Sequence, residues 1–318
     1  MKKLSLSLLI DKFKGKKIAV IGDIMLDHFI YGEVDRISPE APVPVVAFQK
    51  EKFVPGGAAN IASNIAALGG QAFMIGMVGH DIPGKNVLEK LREFGVDTSY
   101  VIKKEKIYTT EKIRVVARGQ QIVRVDKEVV NAPSQKDEEG ICLNIQKAIK
   151  DSDAVILSDY AKGFVTPKIA EVSIATANKF KKPILVGTKS KVVSHFKGAT
   201  LATPNHKEAE AIAEVSDMKQ AVKIIQKQLN CNVLVTQGAS GMTLFEGAKE
   251  LHFPTKAREV VDVVGASDTV SASLAISLAS GAPIYDAITV ANHAAGIVVG
   301  KAGTAVVTPE ELRTSFDF

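Results

Sequence analysis

Apolar and polar positions along the chain follow two periods. Short apolar runs at 17–21, 72–78, 154–157, 183–186 and 233–236 have the length and β-branched content of buried strands. Between them, residues 60–68, 84–94, 168–179, 207–213 and 219–229 carry apolar residues at helical spacing. Strands alternating with helices predict a doubly wound α/β architecture, a mostly parallel sheet with helices on both faces. Two stretches break the rhythm. Residues from about 29 to 53 and from about 107 to 126 alternate β-branched with polar residues, as in Lys112, Arg114, Val116 and Arg118, which suits strands with one wet face. They read as a small β-sheet lid inserted from two places. After Val260 the chain turns rich in Ala, Gly, Ser and Val, which predicts closely packed buried helices. With no internal repeat and no low-complexity linker, residues 1–318 read as a single α/β domain carrying that lid.

Composition narrows the class. In 318 residues, 46% are hydrophobic and 24% charged, with 24 Gly and 12 Pro, which excludes disorder, collagen and coiled coil. No stretch reaches the ~18 uninterrupted apolar residues of a membrane span; residues 287–299 are broken by Asn292, His293 and Gly296. The N-terminus imitates a signal peptide, but its apolar part is only about seven residues and Asp11-Lys12-Phe13-Lys14 follows, so it reads as a short amphipathic helix. Cys142 and Cys231 form no CxxC pair and no disulfide framework, which points to a reducing, cytoplasmic setting. The net charge of +5 is spread along the chain without an aromatic-interleaved arginine stripe, favouring small anions over nucleic acid.

Two glycine-rich turns invite a nucleotide. Gly79 to Asn86 falls one residue short of a Walker A loop: Asn86 stands after Lys85 where a metal-binding hydroxyl belongs, so the segment reads as a strand-to-helix turn. The second turn, Asp262-Val-Val-Gly265-Ala266-Ser267-Asp268-Thr269, opens the Ala-rich helix. Small residues there let free backbone N–H groups converge on an anion, with the helix dipole behind them. Asp268 in the first turn is then placed to take a proton from an attacking hydroxyl. The same pattern also fits an acidic residue that merely complements the dipole.

The chain resembles the ribokinase-type (PfkB) carbohydrate kinases. Their N-terminal signature stands as Gly56-Gly57-Ala58-Ala59-Asn60-Ile61-Ala62 followed by Leu68-Gly69, their C-terminal one as Gly265 to Asp268, and their NxxE element as Asn205 to Glu208. Within that family the runs Gly22 to Asp27, Arg36 to Val45, Arg118 to Asp126 and Leu157 to Gly163 are similar to the heptose 7-phosphate kinases of lipopolysaccharide-core synthesis. The resemblance implies a ribokinase-like fold and phosphoryl transfer from ATP to the anomeric hydroxyl of D-glycero-β-D-manno-heptose 7-phosphate. It implies Asp268 as base, with the amides of Gly265, Ala266, Ser267 and Asp268 as anion hole, and Mg²⁺ held through water by Asn205 and Glu208. Asp27, Gly56, Gly57 and Asn60 would meet the sugar. Lys189, Thr236, Gly238 and Asn292 would meet the nucleotide, and a monovalent cation is a further cofactor to expect.

Converging cations suit the substrate's phosphate, and Lys112, Arg118 and Arg124 are the candidates; a solvated lid face explains them too. Asp27 also fits a turn cap, and Asn60 a helix cap. Three positions depart from the family: Val264 replaces a usual threonine, Ser267 a second glycine, and Gly187-Thr188-Lys189 stands where the heptose kinases carry Asp-Pro-Lys. These changes keep open a kinase of another sugar or nucleoside, and a catalytically weak sugar-binding protein. No nucleotidyltransferase segment follows Pro309 to Leu312, so a kinase-only form is expected. Exposed lid edges suggest a homodimer joined lid to lid.

Overall fold

The computed structural model describes residues 3–317. The chain runs α1 (Lys3–Asp11), β1 (Lys17–Gly22), β2 (Ile24–Ile37), β3 (Pro44–Gly57), α2 (Ala58–Ala67), β4 (Gln71–Gly79) and α3 (Ile82–Glu93). It continues through β5 (Val101–Lys104), β6 (Thr110–Ala117), β7 (Gln120–Lys127), α4 (Gln135–Lys150), β8 (Ala154–Asp159), α5 (Pro167–Lys179), β9 (Ile184–Thr188) and β10 (Leu201–Ala202). The last part holds α6 (His206–Ala213), α7 (Met218–Leu229), β11 (Asn232–Thr236), β12 (Met242–Glu246), β13 (Lys249–Phe253), α8 (Ala266–Ala279), α9 (Ile284–Val298) and α10 (Pro309–Ser315).

Nine strands form one sheet in the order β13-β12-β11-β10-β9-β8-β1-β4-β5. From β11 to β5 every pairing is parallel, and only β12 and β13 are antiparallel. Strand alternation sorts the core into two layers. Ile18 and Val20 of β1 pack with α2, α3, α8 and α9, while Ala19 and Ile21 pack with α4, α5, α6 and α7. Strands buried on both faces read as continuous apolar runs, which is why they were visible in the sequence. The N-terminal helix is one-sided as expected: Leu6, Leu9 and Ile10 are buried against Leu312 and Phe316, and Leu8 faces solvent. No helix among the described residues is long and apolar enough to cross a membrane.

The expected lid is a separate four-stranded sheet, β3-β2-β6-β7. Its strands reach further into the body than the 29–53 and 107–126 segments, because the root of β2 (Ile24, Met25 and Leu26) is buried and reads like a body strand. Helix α4 and the β12–β13 hairpin escaped the pattern analysis. The first half of α4 is charged, and its apolar stripe starts only at Ile141.

Chain crossings set the site. β1 is the switch point, pairing with β4 on one side and β8 on the other. There Gly22 lies so close to β8 that a Cβ would sit 2.1 Å from the Ser158 carbonyl oxygen. Ligands of open α/β sheets bind outside the carboxyl ends of parallel strands, and Asp23, Tyr160, Lys189 and Asn205 follow the ends of β1, β8, β9 and β10. At the lid root, Gly57 has φ +58°, and a Cβ there would meet the Asp23 carbonyl oxygen at 2.7 Å. Gly57→Ala should therefore cost about 1–3 kcal/mol in urea unfolding; a loss below about 0.5 kcal/mol would mean that this junction yields freely.

Candidate active site

The centre of the site is the N-terminus of α8. Its cap, Gly265, is left-handed at φ +81°, and a Cβ there would lie 2.8 Å from Asn60 Nδ2. No side chain caps this helix, so its first amides, which have no intrahelical carbonyl, are open to a ligand. Asp268 sits in this first turn, 7% exposed. Asn60 Nδ2 donates to its Oδ2 at 2.8 Å and the Tyr160 hydroxyl to its Oδ1 at 2.5 Å. Burial pushes the Asp268 carboxyl up to about 6; the Tyr160 and Asn60 hydrogen bonds oppose this, the Asp27 charge adds to it, and the Lys189 charge lowers it.

Each donor is itself fixed. Asn64 Nδ2 bonds the Asn60 carbonyl at 3.0 Å and Asn60 Oδ1 at 3.2 Å, while Thr269 Oγ1 donates to Asn64 Oδ1 at 2.9 Å. Polar side chains thus lock α2 to α8. The Tyr160 loop is held by Asp23, whose carboxylate accepts the amides of Tyr160 (2.8 Å), Lys162 (3.2 Å) and Phe164 (3.2 Å). Burial lifts Asp23 to about 6 even against those bonds. Lys189 Nζ lies 4.4 Å above the Tyr160 ring. Asp159, raised by burial, takes the Thr188 hydroxyl at 2.7 Å.

Asp27 lies at the lid root, 6% exposed and ion-paired with Arg114. Burial raises its carboxyl, and the Arg114 charge draws it back. A Cβ on Gly56 would sit 2.7 Å from Asp27 Oδ2, so this approach requires glycine. Asn205 and Glu208 make a reciprocal capping box on α6: Asn205 Oδ1 accepts the Glu208 amide, and Glu208 Oε2 the Asn205 amide, both at 2.9 Å.

Two concavities meet here. A small cavity of about 40 Å³ is bounded by Asp159, Tyr160, Lys189, Glu208, Ser267 and Asp268. A groove of about 360 Å³ is lined by Thr236, Gly238, Asn292 and Asn205 among apolar walls that include Val260 and Val263. Ser267 borders both. A larger hollow of about 820 Å³ around Lys256, His293 and Glu310 holds none of the sequence-derived candidates. No group of three or more His, Cys, Asp or Glu residues among those described could hold a metal by itself. An ion here needs phosphate oxygens as well, and Glu208 at the cavity wall suits contact through water.

The candidates for the substrate's phosphate separate. Lys112 and Arg124 meet on the Asp126 carboxylate, Lys112 pairing with Glu128 as well, whereas Arg118 stands apart from both. Arg118 lies in the β6–β7 turn at φ 51°, exposed and paired with Asp35. The alternation that placed it beside Lys112 and Arg114 ends one residue earlier, where β6 ends. At Gly187 a Cβ would have only Thr203 Oγ1 at 3.7 Å as a neighbour, so the cavity is widened where the heptose kinases carry aspartate. Tyr160, Arg114 and Asp23 belong to the site but were given no role in the sequence. Tyr160 and Asp23 lie inside the matching runs, and Arg114 shares a face with Lys112; which partners they meet depends on the fold.

A family model described as pfkB family carbohydrate kinase matches residues 15–311. The chain belongs to this family of carbohydrate kinases. Its chemistry is phosphoryl transfer to a sugar hydroxyl. Proteins named bifunctional protein HldE are 42% identical over 315 residues in Caulobacter sp. strain K31 and 40% over 303 residues in Helicobacter pylori strain J99. These alignments cover 94% and 93% of this chain but only 62% and 65% of those relatives. The fold is ribokinase-like. Arabidopsis thaliana ribokinase complexed with ribose and ATP superposes with a TM-score of 0.74 at 20% identity, covering 96% of this chain and 99% of that one. Escherichia coli phosphofructokinase-2 with substrates and products gives 0.78 at 18%, covering 95% and 98%.

In the role of base that the family resemblance implies, Asp268 must be unprotonated to act, so kcat/KM should fall below an acid limb near its value of about 6. The Tyr160 hydrogen bond lowers that value, so Tyr160→Phe should shift the limb to higher pH in a pH-rate series. A limb that stays in place would remove Tyr160 from control of the carboxylate.

Proposed function

We propose that the protein is an ATP-dependent sugar-phosphate kinase that phosphorylates D-glycero-β-D-manno-heptose 7-phosphate at O1 to the 1,7-bisphosphate, as in lipopolysaccharide-core precursor synthesis. One observation carries the reading: a buried carboxylate, Asp268, fixed by two donors where a small polar cavity opens onto a groove of nucleotide dimensions. The substrate assignment rests on the sequence runs similar to heptose kinases and on relatives 40–43% identical.

In this mechanism the sugar lies under the lid against Asp27, Asn60 and the bare backbone of Gly56 and Gly57. Asp268 takes the O1 proton as O1 attacks the terminal phosphorus of ATP, and the bond from that phosphorus to the bridging oxygen breaks to release ADP. The amides of Gly265, Ala266, Ser267 and Asp268 bind the transferring group, whose charge develops at the positive end of α8. Lys189 reaches the phosphates, and Thr236, Gly238 and Asn292 line the base-ribose groove. Asn205 and Glu208 would hold Mg²⁺ through water, and the ion would supply neutralising charge to the phosphates. Lid closure excludes water, which would otherwise compete as acceptor.

Asp268→Asn should bind sugar nearly as wild type does and lose about 10³-fold or more in kcat. Near-normal turnover would refute the base assignment. Gly187 favours a second reading, a family kinase of another sugar or nucleoside. Heptose 7-phosphate assayed beside fructose 6-phosphate and ribose, with product NMR to locate the new phosphate, decides between the two. Repeating the assay in potassium and in sodium reads the monovalent-cation requirement.

The free cysteines fit a cytoplasmic protein. Exposed Ile37, Val43 and Phe48 on the lid favour a lid-to-lid homodimer. Light scattering should then give twice the chain mass, and Phe48→Asp should lower it; a monomeric wild type excludes the dimer.

A further inference from the structure

One face of the lid carries a charge cluster that the steps above do not use. Lys112 on β6 and Lys162 on the loop after β8 both donate to the Glu128 carboxylate. One lysine belongs to the lid and the other to the body, so Glu128 ties the two together. All three side chains are mostly shielded, at 21%, 22% and 27% exposure in that order. Burial pushes the Glu128 carboxyl up, but hydrogen bonds and charge from the two lysines together outweigh it and hold the carboxyl down at about 2. Alongside, Asp126 lies opposite Lys112 in the β6–β7 register and binds Arg124 through both carboxylate oxygens, at 2.8 and 2.9 Å.

The position is informative. Lys112 pairs with Asp27 in the β2–β6 register, and its charge acts on that carboxylate. Lys162 follows two residues after Tyr160, whose hydroxyl reaches Asp268. The cluster therefore flanks the acceptor side of the site. A carboxylate bridging two ammonium groups has the shape of an anion seat already filled. A phosphate monoester brings about twice the charge and three acceptor oxygens, whereas a neutral sugar brings nothing to replace the carboxylate. Ammonium groups on flexible stems suit this, because they bind phosphate as point charges without a fixed fork.

Building on the kinase reading above, we propose that Lys112 and Lys162 are the seat of the acceptor's phosphate. Glu128 is the internal anion that a sugar phosphate displaces. The exchange makes phosphorylated acceptors the selected class, since once Glu128 leaves Lys112 keeps only its 3.4 Å pair with Asp126 and Lys162 needs a new anion. It also turns a lid-to-body tie through Glu128 into one through the substrate.

The test uses the full chain with heptose 7-phosphate and unphosphorylated heptose as acceptors. In Lys162→Met, which keeps the backbone amide bonded to Asp23, the kcat/KM ratio of phosphorylated to unphosphorylated acceptor should fall at least about tenfold. Glu128→Gln should raise kcat/KM for the phosphorylated acceptor about threefold or more. Equal losses on both acceptors in Lys162→Met, or a loss in Glu128→Gln, would overturn the proposal and leave the kinase reading standing. Should wild type phosphorylate neither heptose, the seat is read by calorimetric titration with inorganic phosphate in the presence of a non-hydrolysable ATP analogue. Weaker binding in Lys162→Met and tighter binding in Glu128→Gln then support it. Unchanged affinity in both variants overturns it whatever the sugar.

Discussion

The site depends on keeping one carboxylate charged in a place that water barely reaches. Asp268 is 7% exposed and touches no cation; two neutral donors hold its oxygens, and Lys189 acts only through its field. A shift from 3.8 to about 6 means that burial, with the Asp27 charge beside it, outweighs the two donors and the Lys189 field. The sign follows directly: a carboxyl raised in the fold costs stability as pH climbs from about 4 through about 6, and the cost is complete at neutral pH. On the proposed kinase reading, that same destabilisation leaves Asp268 a base matched to neutral chemistry.

Much of the surrounding structure serves to hold that carboxylate's two donors. Asn60 is set by Asn64 and Thr269 across the α2–α8 contact, and Tyr160 by the three amides gathered on Asp23. Asp23 also receives the Ala58 amide on its carbonyl oxygen at 3.0 Å. The switch-point loop, the lid root and the start of α2 therefore meet at one residue. A displacement of the lid at Gly57 is felt at Asp23, and through it at Tyr160.

The lid carries a second set of charges, arranged on different terms. Arg114 and Asp27 pair in a shielded position, where each makes the other's burial tolerable and where losing either partner would strand a charge. Lys112, Lys162 and Glu128 are more accessible and can exchange partners. The opposite face holds a third group, with His28 between Glu51 and Glu111 and Lys127 on Glu111. Strand alternation keeps the two faces apart, so the charges beside Asp27 can rearrange while those on the other face hold the sheet.

Sequence alone determined the doubly wound body, since strands buried on both faces must be apolar throughout and the helices between them must show a 3.6-residue stripe. The family resemblance marked Gly56, Gly57 and Asn60, and the small-residue turn marked Gly265 and Asp268; the three glycines sit where close backbone approach or a left-handed φ leaves little room for another residue. The sequence did not reveal α4, whose charged first turns hide a short apolar stripe, or the end of β6 that sends Arg118 into a turn. Only the tertiary structure decided which side chains touch. Tyr160 meets Asp268 across 108 positions and Arg114 meets Asp27 across 87. Pairings at that separation are set by how sheets and helices stack, and local periodicity carries no trace of them.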